Sequence, residues 1–269
     1  MLFRHILTQT AVLVSAVPIY VFAQPVNAFA APGGGETRSQ MPLNGQQRAE
    51  ATQPITPELR ADILMARKMF REAIDMYRQA PETNAVVQNK IGIAYHQLVE
   101  LNMARKYYSR AVKLDADYAE AINNLGTTYY ATKSYRKAIS HYKKALKYSP
   151  NAASIHSNLG TAYFARKNYK AALDEYQIAM KLDPDVFEHR GSHGVLLQER
   201  SVDERAKFHY YLAKSYAKAG NSDRALLYLR KALEEGLKEK EKLMDEPDFA
   251  GLRDLPEFQQ ILAAEYKVL

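Results

Sequence analysis

Apolar and small positions recur in this chain at two nested spacings. At short range, Leu125, Gly126 and Tyr129 fall on one face of a helix, and Ala138, Tyr142 and Ala145 fall on one face of the next. At long range the whole pattern repeats every 34 residues: Ile91-Gly92-x-x-Tyr95, Leu125-Gly126-x-x-Tyr129 and Leu159-Gly160-x-x-Tyr163. After each glycine, at fixed offsets, come an alanine (Ala104, Ala138, Ala172), a tyrosine (Tyr108, Tyr142, Tyr176) and a second alanine (Ala111, Ala145, Ala179). The spacing predicts pairs of helices joined by a turn, with Lys133-Ser134 turning the central pair and Ser149-Pro150-Asn151 ending it. Two helices crossing at about 8–10 Å need a small residue on one side, which Gly126 and Ala138 can supply. A repeat of this length signals stacked supersecondary units in place of one closed globule.

The middle copy, Ile122-x-x-Leu125-Gly126-x-x-Tyr129 followed by Tyr135, Ala138, Tyr142, Ala145-Leu146 and Pro150, resembles the tetratricopeptide repeat. The flanking copies depart from it in places. Gln88 and His156 stand where the family places a large aromatic, and Ala116 replaces the closing proline of the earlier copy. A later copy reads Leu212-Ala213-x-x-Tyr216, Gly220, Ala225, Leu229 and Ala232-Leu233, and a degenerate first one ends Phe70-x-x-Ala73-x-x-x-Tyr77. The resemblance implies an all-α fold, an α-solenoid of tetratricopeptide hairpins closed by short C-terminal helices. The expected organisation is a signal peptide over 1–30, a disordered linker over 31–53 and a degenerate repeat over 54–84. Repeats follow over 85–118, 119–152 and 153–186, then an inserted loop over 187–205, a repeat-like unit over 206–239 and a C-terminal cap over 240–269.

The ends of the chain add an address and a lid. Residues 1–30 hold one basic residue, Arg4, and no acid, with an apolar run from Ala11 to Ala23. That run is short of the roughly 20 residues a bilayer crossing needs. Val21-Phe22-Ala23 and Ala28-Phe29-Ala30 end it as small-x-small triplets, so it reads as a secretory signal cut after Ala23 or Ala30. The expected location is therefore periplasmic or secreted. The Gly/Gln/Pro-rich stretch after it carries few large apolar residues. Thr56-Pro57 opens a helix, and Ser201 to Glu204 opens another. At the far end, Phe249, Leu252, Phe258, Ile261 and Leu262 can cover the apolar face of the last repeat.

Composition narrows function. There is no cysteine, so neither a disulfide nor lipid attachment at a cysteine is available. No phosphate-binding glycine loop or nucleophile elbow is present, and no cofactor, metal or catalytic role is expected. His189, His193 and His209 are a candidate loop-built metal site, although the glycines at 191 and 194 argue against a helix that would present His189 and His193 together. The formal net charge is +7, with basic residues concentrated on the second helices. Nucleic acid is not expected for an exported chain; the basic face reads either as a solvated surface or as a weak contact with an anionic membrane surface or glycan. Self-association is left open.

The resemblance places the first helix of each hairpin on a concave side. The expected peptide-binding groove is then Asn89 and His96, followed by Asn123, Asn124, Thr127 and Tyr130. Asn158, Thr161 and Phe164 continue it, and Tyr210 and Lys214 close it. Amides donate and accept hydrogen bonds without charge, which suits an extended peptide backbone. The expected role is a non-catalytic scaffold of the cell envelope that docks another envelope protein or peptide. The alternative is a carbohydrate-associated module for polysaccharide export or wall maintenance, with tyrosine rings stacking on sugars.

Overall fold

The computed structural model describes residues 55–188, 201–238 and 240–266, and everything described is helix or connecting turn. The expected signal peptide and linker, and His189 and His193, lie outside the described residues. Two compact units divide the chain after Ala116.

The first unit holds two hairpins, α1 (Pro57–Ala66) with α2 (Phe70–Tyr77) and α3 (Ala85–Gln97) with α4 (Leu101–Leu114). Thr56 caps α1 by accepting from the Leu59 N–H at 3.2 Å, with Pro57 in the first turn. Asn84 caps α3 by accepting from the N–H groups of Val86 and Val87. Lys90 of α3 reaches back to α1, donating to Glu58 at 3.0 Å and Asp62 at 2.9 Å. Asp62 also accepts from the buried Tyr77 hydroxyl of α2.

The second unit stacks α5 (Ala119–Ala131) with α6 (Tyr135–Tyr148), α7 (Ala153–Ala165) with α8 (Tyr169–Leu182), and α9 (Val202–Lys218) with α10 (Ser222–Glu234). Each second helix also packs on the first helix of the following hairpin, α6 on α7 and α8 on α9, which makes the arrangement a solenoid. Ser201 caps α9 by accepting from the Glu204 N–H. The helix therefore begins inside the stretch read as an inserted loop, and Val186 and Phe187 at its other end are buried. Phe187 sits edge-on to Tyr176 at 5.2 Å, and Phe164 meets Phe208 edge-on at 5.5 Å. The core thus takes in residues on both sides of the interruption in the repeat.

The glycine of each periodic hairpin faces a ring, where the sequence suggested a contact made by Gly126 and Ala138. A Cβ on Gly160 would stand 2.5 Å from Tyr176, one on Gly126 2.8 Å from Tyr142, and one on Gly92 2.6 Å from Tyr108. The rings can come close to the bare backbone because no side chain lifts them off. A second regularity is invisible in the apolar pattern. The turn inside every hairpin passes through a left-handed residue, at Lys68, Val99, Lys133, Lys167 and Gly220. Only the last is a glycine, so four hairpins hold a side chain in a conformation that disfavours one.

The C-terminal segment forms a 3-10 turn (Lys240–Lys242), a 3-10 helix (Pro247–Leu252) and α11 (Pro256–Ala263). The first of the two proline-led helices expected here is thus 3-10, a form suited to so short a run. It packs on α9, and α11 packs on α10, whereas the first helix of a further hairpin would pack on α10. Phe249, Leu252, Phe258 and Ile261 are buried there together with Leu243, and Leu262 is partly covered.

Candidate functional site

The first helices of the hairpins carry the residues expected to line a groove, and the structure sorts them into three groups. Asn89, Tyr130, Thr161 and Phe164 are buried, at 1 to 6 % exposure. Phe164 is a core residue, and Tyr130 lies against Tyr135 at 5.2 Å, so neither presents an open ring for a sugar. Thr127 and Thr161, each one position after the hairpin glycine, anchor the buried rings: Tyr142 and Tyr176 donate to their hydroxyls at 3.3 and 3.4 Å. Thr161 in turn donates to the Ser157 carbonyl at 2.8 Å. These residues build the hairpin, and their spacing alone could not separate that role from display. In the first unit, His96 faces the Tyr108 hydroxyl, and burial pushes its pKa down.

The second group is taken by the C-terminal segment. Lys214 on α9 donates to Glu246 and Asp248, both at 3.0 Å, and Lys218 also reaches Asp248 at 3.0 Å. Tyr210 donates to Glu246 at 2.7 Å. Burial opposes the Lys214 charge, yet hydrogen bonds to Asp248 and Glu246 leave its pKa raised. Glu246, opposed likewise by burial, ends below the usual carboxylate range because Tyr210 and Lys214 donate to it. The sequence reading missed Glu246 and Asp248. They flank Pro247 in a segment whose pattern is carried by its apolar residues, and nothing local pairs them with a lysine more than thirty residues earlier.

The third group is a run of amides between α5 and α7. Asn158 donates to the Asn123 carbonyl oxygen at 3.1 Å, and Asn123 donates to that of Asn124 at 3.4 Å. All three, with Thr127, are half-buried. Both helices belong to one unit and pack on each other, which fixes the register of the run. Uncharged donors and acceptors aligned across two helices can meet another backbone amide by amide.

His209, a member of the histidine group weighed for metal, is buried in α9 and bonded to Glu235 through Nδ1 at 2.7 Å. Burial lowers its pKa against the pull of Glu235. His156 occupies the equivalent position of its hairpin and bonds Glu175 at 2.7 Å and the Pro150 carbonyl at 2.9 Å. Both stand where the family places a large aromatic, and both supply a polar brace there. Among the described residues no three His, Asp or Glu side chains are placed to hold a metal ion, and no helix is long and apolar enough to cross a membrane.

Helical hairpins in series, each closing a large side chain over a small one, define an all-α repeat protein. Models of the tetratricopeptide repeat match residues 85–118, 153–186 and 209–235, and a further TPR repeat model matches 126–166. The chain is a tetratricopeptide repeat protein, and such repeats make it a protein-interaction scaffold. No curated protein matches it. Among solved structures it is similar to a crystal structure of MamA at 22 % identity, covering 65 % of this chain and 93 % of that one with a TM-score of 0.46. It is also similar to MamA from Desulfovibrio magneticus RS-1 at 18 % identity, covering 66 % and 92 % with a TM-score of 0.47.

Proposed function

We propose that this scaffold is exported and holds an extended peptide segment of another envelope protein against the amide face of α5 and α7. The observation that carries the reading is the Asn158–Asn123–Asn124 run, half-buried and uncharged, on two helices in fixed register. A peptide backbone laid along it exchanges hydrogen bonds with amides at little desolvation cost, and side-chain contacts beside it select the sequence. Lys214 and Tyr210 act in this reading as fasteners of the cap, outside the peptide path. Export is supported by the apolar run from Ala11 to Ala23 and the triplets that close it.

The double variant Asn124→Ala, Asn158→Ala tests the docking face. Partner recovery by affinity capture from the native envelope is expected to fall about tenfold, the loss of one or two hydrogen bonds at an interface. Far-UV circular dichroism should be unchanged. Undiminished recovery would contradict the reading. Export is tested by sequencing the amino terminus of the chain released by osmotic shock: a start at residue 24 or 31 supports it, and an intact Met1 in the cytosolic fraction contradicts it.

A further inference from the structure

Between Glu120 and Asp174 the chain contains no acidic residue at all. That stretch covers α5, α6, α7 and the start of α8, and its basic residues gather on one of them. Lys133, Arg136, Lys137, Lys143, Lys144 and Lys147 lie on α6 and the turn leading into it, and all but the half-buried Lys144 are exposed. Of the other second helices, α4 also lacks an acid of its own, but its Arg110 pairs with Glu82. On α8, Lys170 pairs with Asp174 at 3.2 Å, and α10 carries Asp223 and Glu234 beside its basic residues. Among the described residues the α6 charges form no such ion pair. Glu175 on α8 acts on Lys143, and Asp117 meets the Tyr148 hydroxyl at the end of the helix.

The geometry of this face narrows what can meet it. Fourteen residues make α6 about 21 Å long, so the charges spread along a rod and do not converge on a pocket. A single phosphate or carboxylate would touch one or two of them. Single-stranded nucleic acid needs open aromatic faces for its bases to stack on. Two nearby rings are occupied: Tyr129 lies against His141 at 4.9 Å with Lys137 over it, and Tyr163 lies under Lys143 at 5.6 Å, which leaves Tyr148 at the end of α6 as an exposed ring where a strand of bases needs several. The exposed surface therefore offers ammonium and guanidinium groups at intervals within one Debye length of each other. This suits a plane of negative charge that demands no particular register.

We propose that the outward face of α6 docks the protein on a bilayer surface rich in acidic phospholipid. Contact is electrostatic and shallow, with lysine stems lying on the helix and their heads at the phosphate level. It leaves the amide run of α5 and α7 on different helices and available for a peptide.

The test is co-sedimentation of the full chain with vesicles of phosphatidylglycerol and phosphatidylcholine, and with vesicles of phosphatidylcholine alone, at low and physiological salt. Binding is expected on the acidic vesicles only, weakening as salt rises. Lys143→Glu, Lys144→Glu, Lys147→Glu is expected to weaken it about a hundredfold, and the glutamine triple at the same positions should fall between. Lys207→Glu, Arg230→Glu, Lys238→Glu makes the same change in total charge elsewhere and should bind within a few fold of the parent. The Asn124→Ala, Asn158→Ala variant should sediment like the parent, which separates this proposal from the peptide reading. Equal binding to neutral vesicles, or full binding by the α6 glutamate triple, would assign attachment to the apolar run near the amino terminus and overturn the proposal. Equal loss in both triples would reduce it to net charge and overturn it too. Capture by heparin or RNA without capture by acidic vesicles would do the same.

Discussion

The periodic hairpins and the last hairpin solve one packing problem in two ways. In α3–α4, α5–α6 and α7–α8 a tyrosine ring lies over a glycine. In α9–α10 the equivalent positions hold Leu229 and Ala213, both fully buried. The first hairpin mixes the two, with Tyr77 opposite Ala61, and there the tyrosine hydroxyl is tied to Asp62. Between the periodic hairpins and the last one the combined bulk at the helix crossing is nearly the same, and the first hairpin exceeds it by one methyl group. The hairpins differ also in what closes them. A central hairpin of the second unit is covered by the next hairpin, whereas the last is covered by a 3-10 helix and α11, fastened through Lys214.

The largest effect should come from removing a ring. Tyr176→Ala leaves a cavity above a glycine that has no side chain to fill it, and a loss of about 3–5 kcal/mol is expected in urea unfolding. Lys214→Met removes the cation beside Glu246 and should cost about 2 kcal/mol, less than for a fully enclosed pair because Tyr210 still donates to Glu246 and Lys218 still serves Asp248. A protease should then remove the C-terminal segment before it attacks α7 or α8. Gly160→Ala drives a methyl into the Tyr176 ring, and about 1–2 kcal/mol of destabilisation should remain after the gain in helix propensity. Combining it with Tyr176→Leu recreates the Ala–Leu pair of the last hairpin. The two changes together should cost less than their separate costs added, by about 1 kcal/mol or more, and simple additivity would break the comparison.

Much of this architecture was legible in the sequence because each repeat states it again. Glycine, tyrosine and two alanines at fixed offsets specify a helix crossing, and three copies in register leave little room for another fold. Thr56 and Ser201 were readable as caps because capping is local chemistry. The binding face was far less legible. Asn158 and Thr161 are three residues apart on one helix, yet one is half-exposed and the other lies under a tyrosine hydroxyl. Helical spacing assigns a face and cannot say how much of it the neighbouring helix covers. Lys214 was assigned to the groove because its partners are far away in sequence. The left-handed turns were hidden for the opposite reason, since lysine and valine give no sign of the conformation they accept.

Those turns supply the next prediction in size. Val99 is 77 % exposed at φ 61°, whereas the last hairpin meets the same requirement with Gly220. Val99→Gly should stabilise the chain by about 1 kcal/mol, seen as a rise in urea midpoint with an unchanged slope. The smallest effect is on pH dependence. His96 and His209 both have lowered pKa values because burial disfavours their charged forms. The unfolded chain then binds more protons below about pH 6.5, so their contribution is intact above that value and is lost as pH falls toward the folded pKa. His96→Gln should flatten the decline in melting temperature between pH 6.5 and 5, and an unchanged profile would show that His96 is not its source.

The most direct test of the account is site-specific photo-crosslinking in the native envelope. A benzophenone side chain replacing Asn124 should capture a partner polypeptide, and the same side chain replacing Lys144 on α6 should not capture it. The same set of captured polypeptides at both positions, or none at position 124, would contradict the claim that the amide face of α5 and α7 is where this scaffold holds its partner.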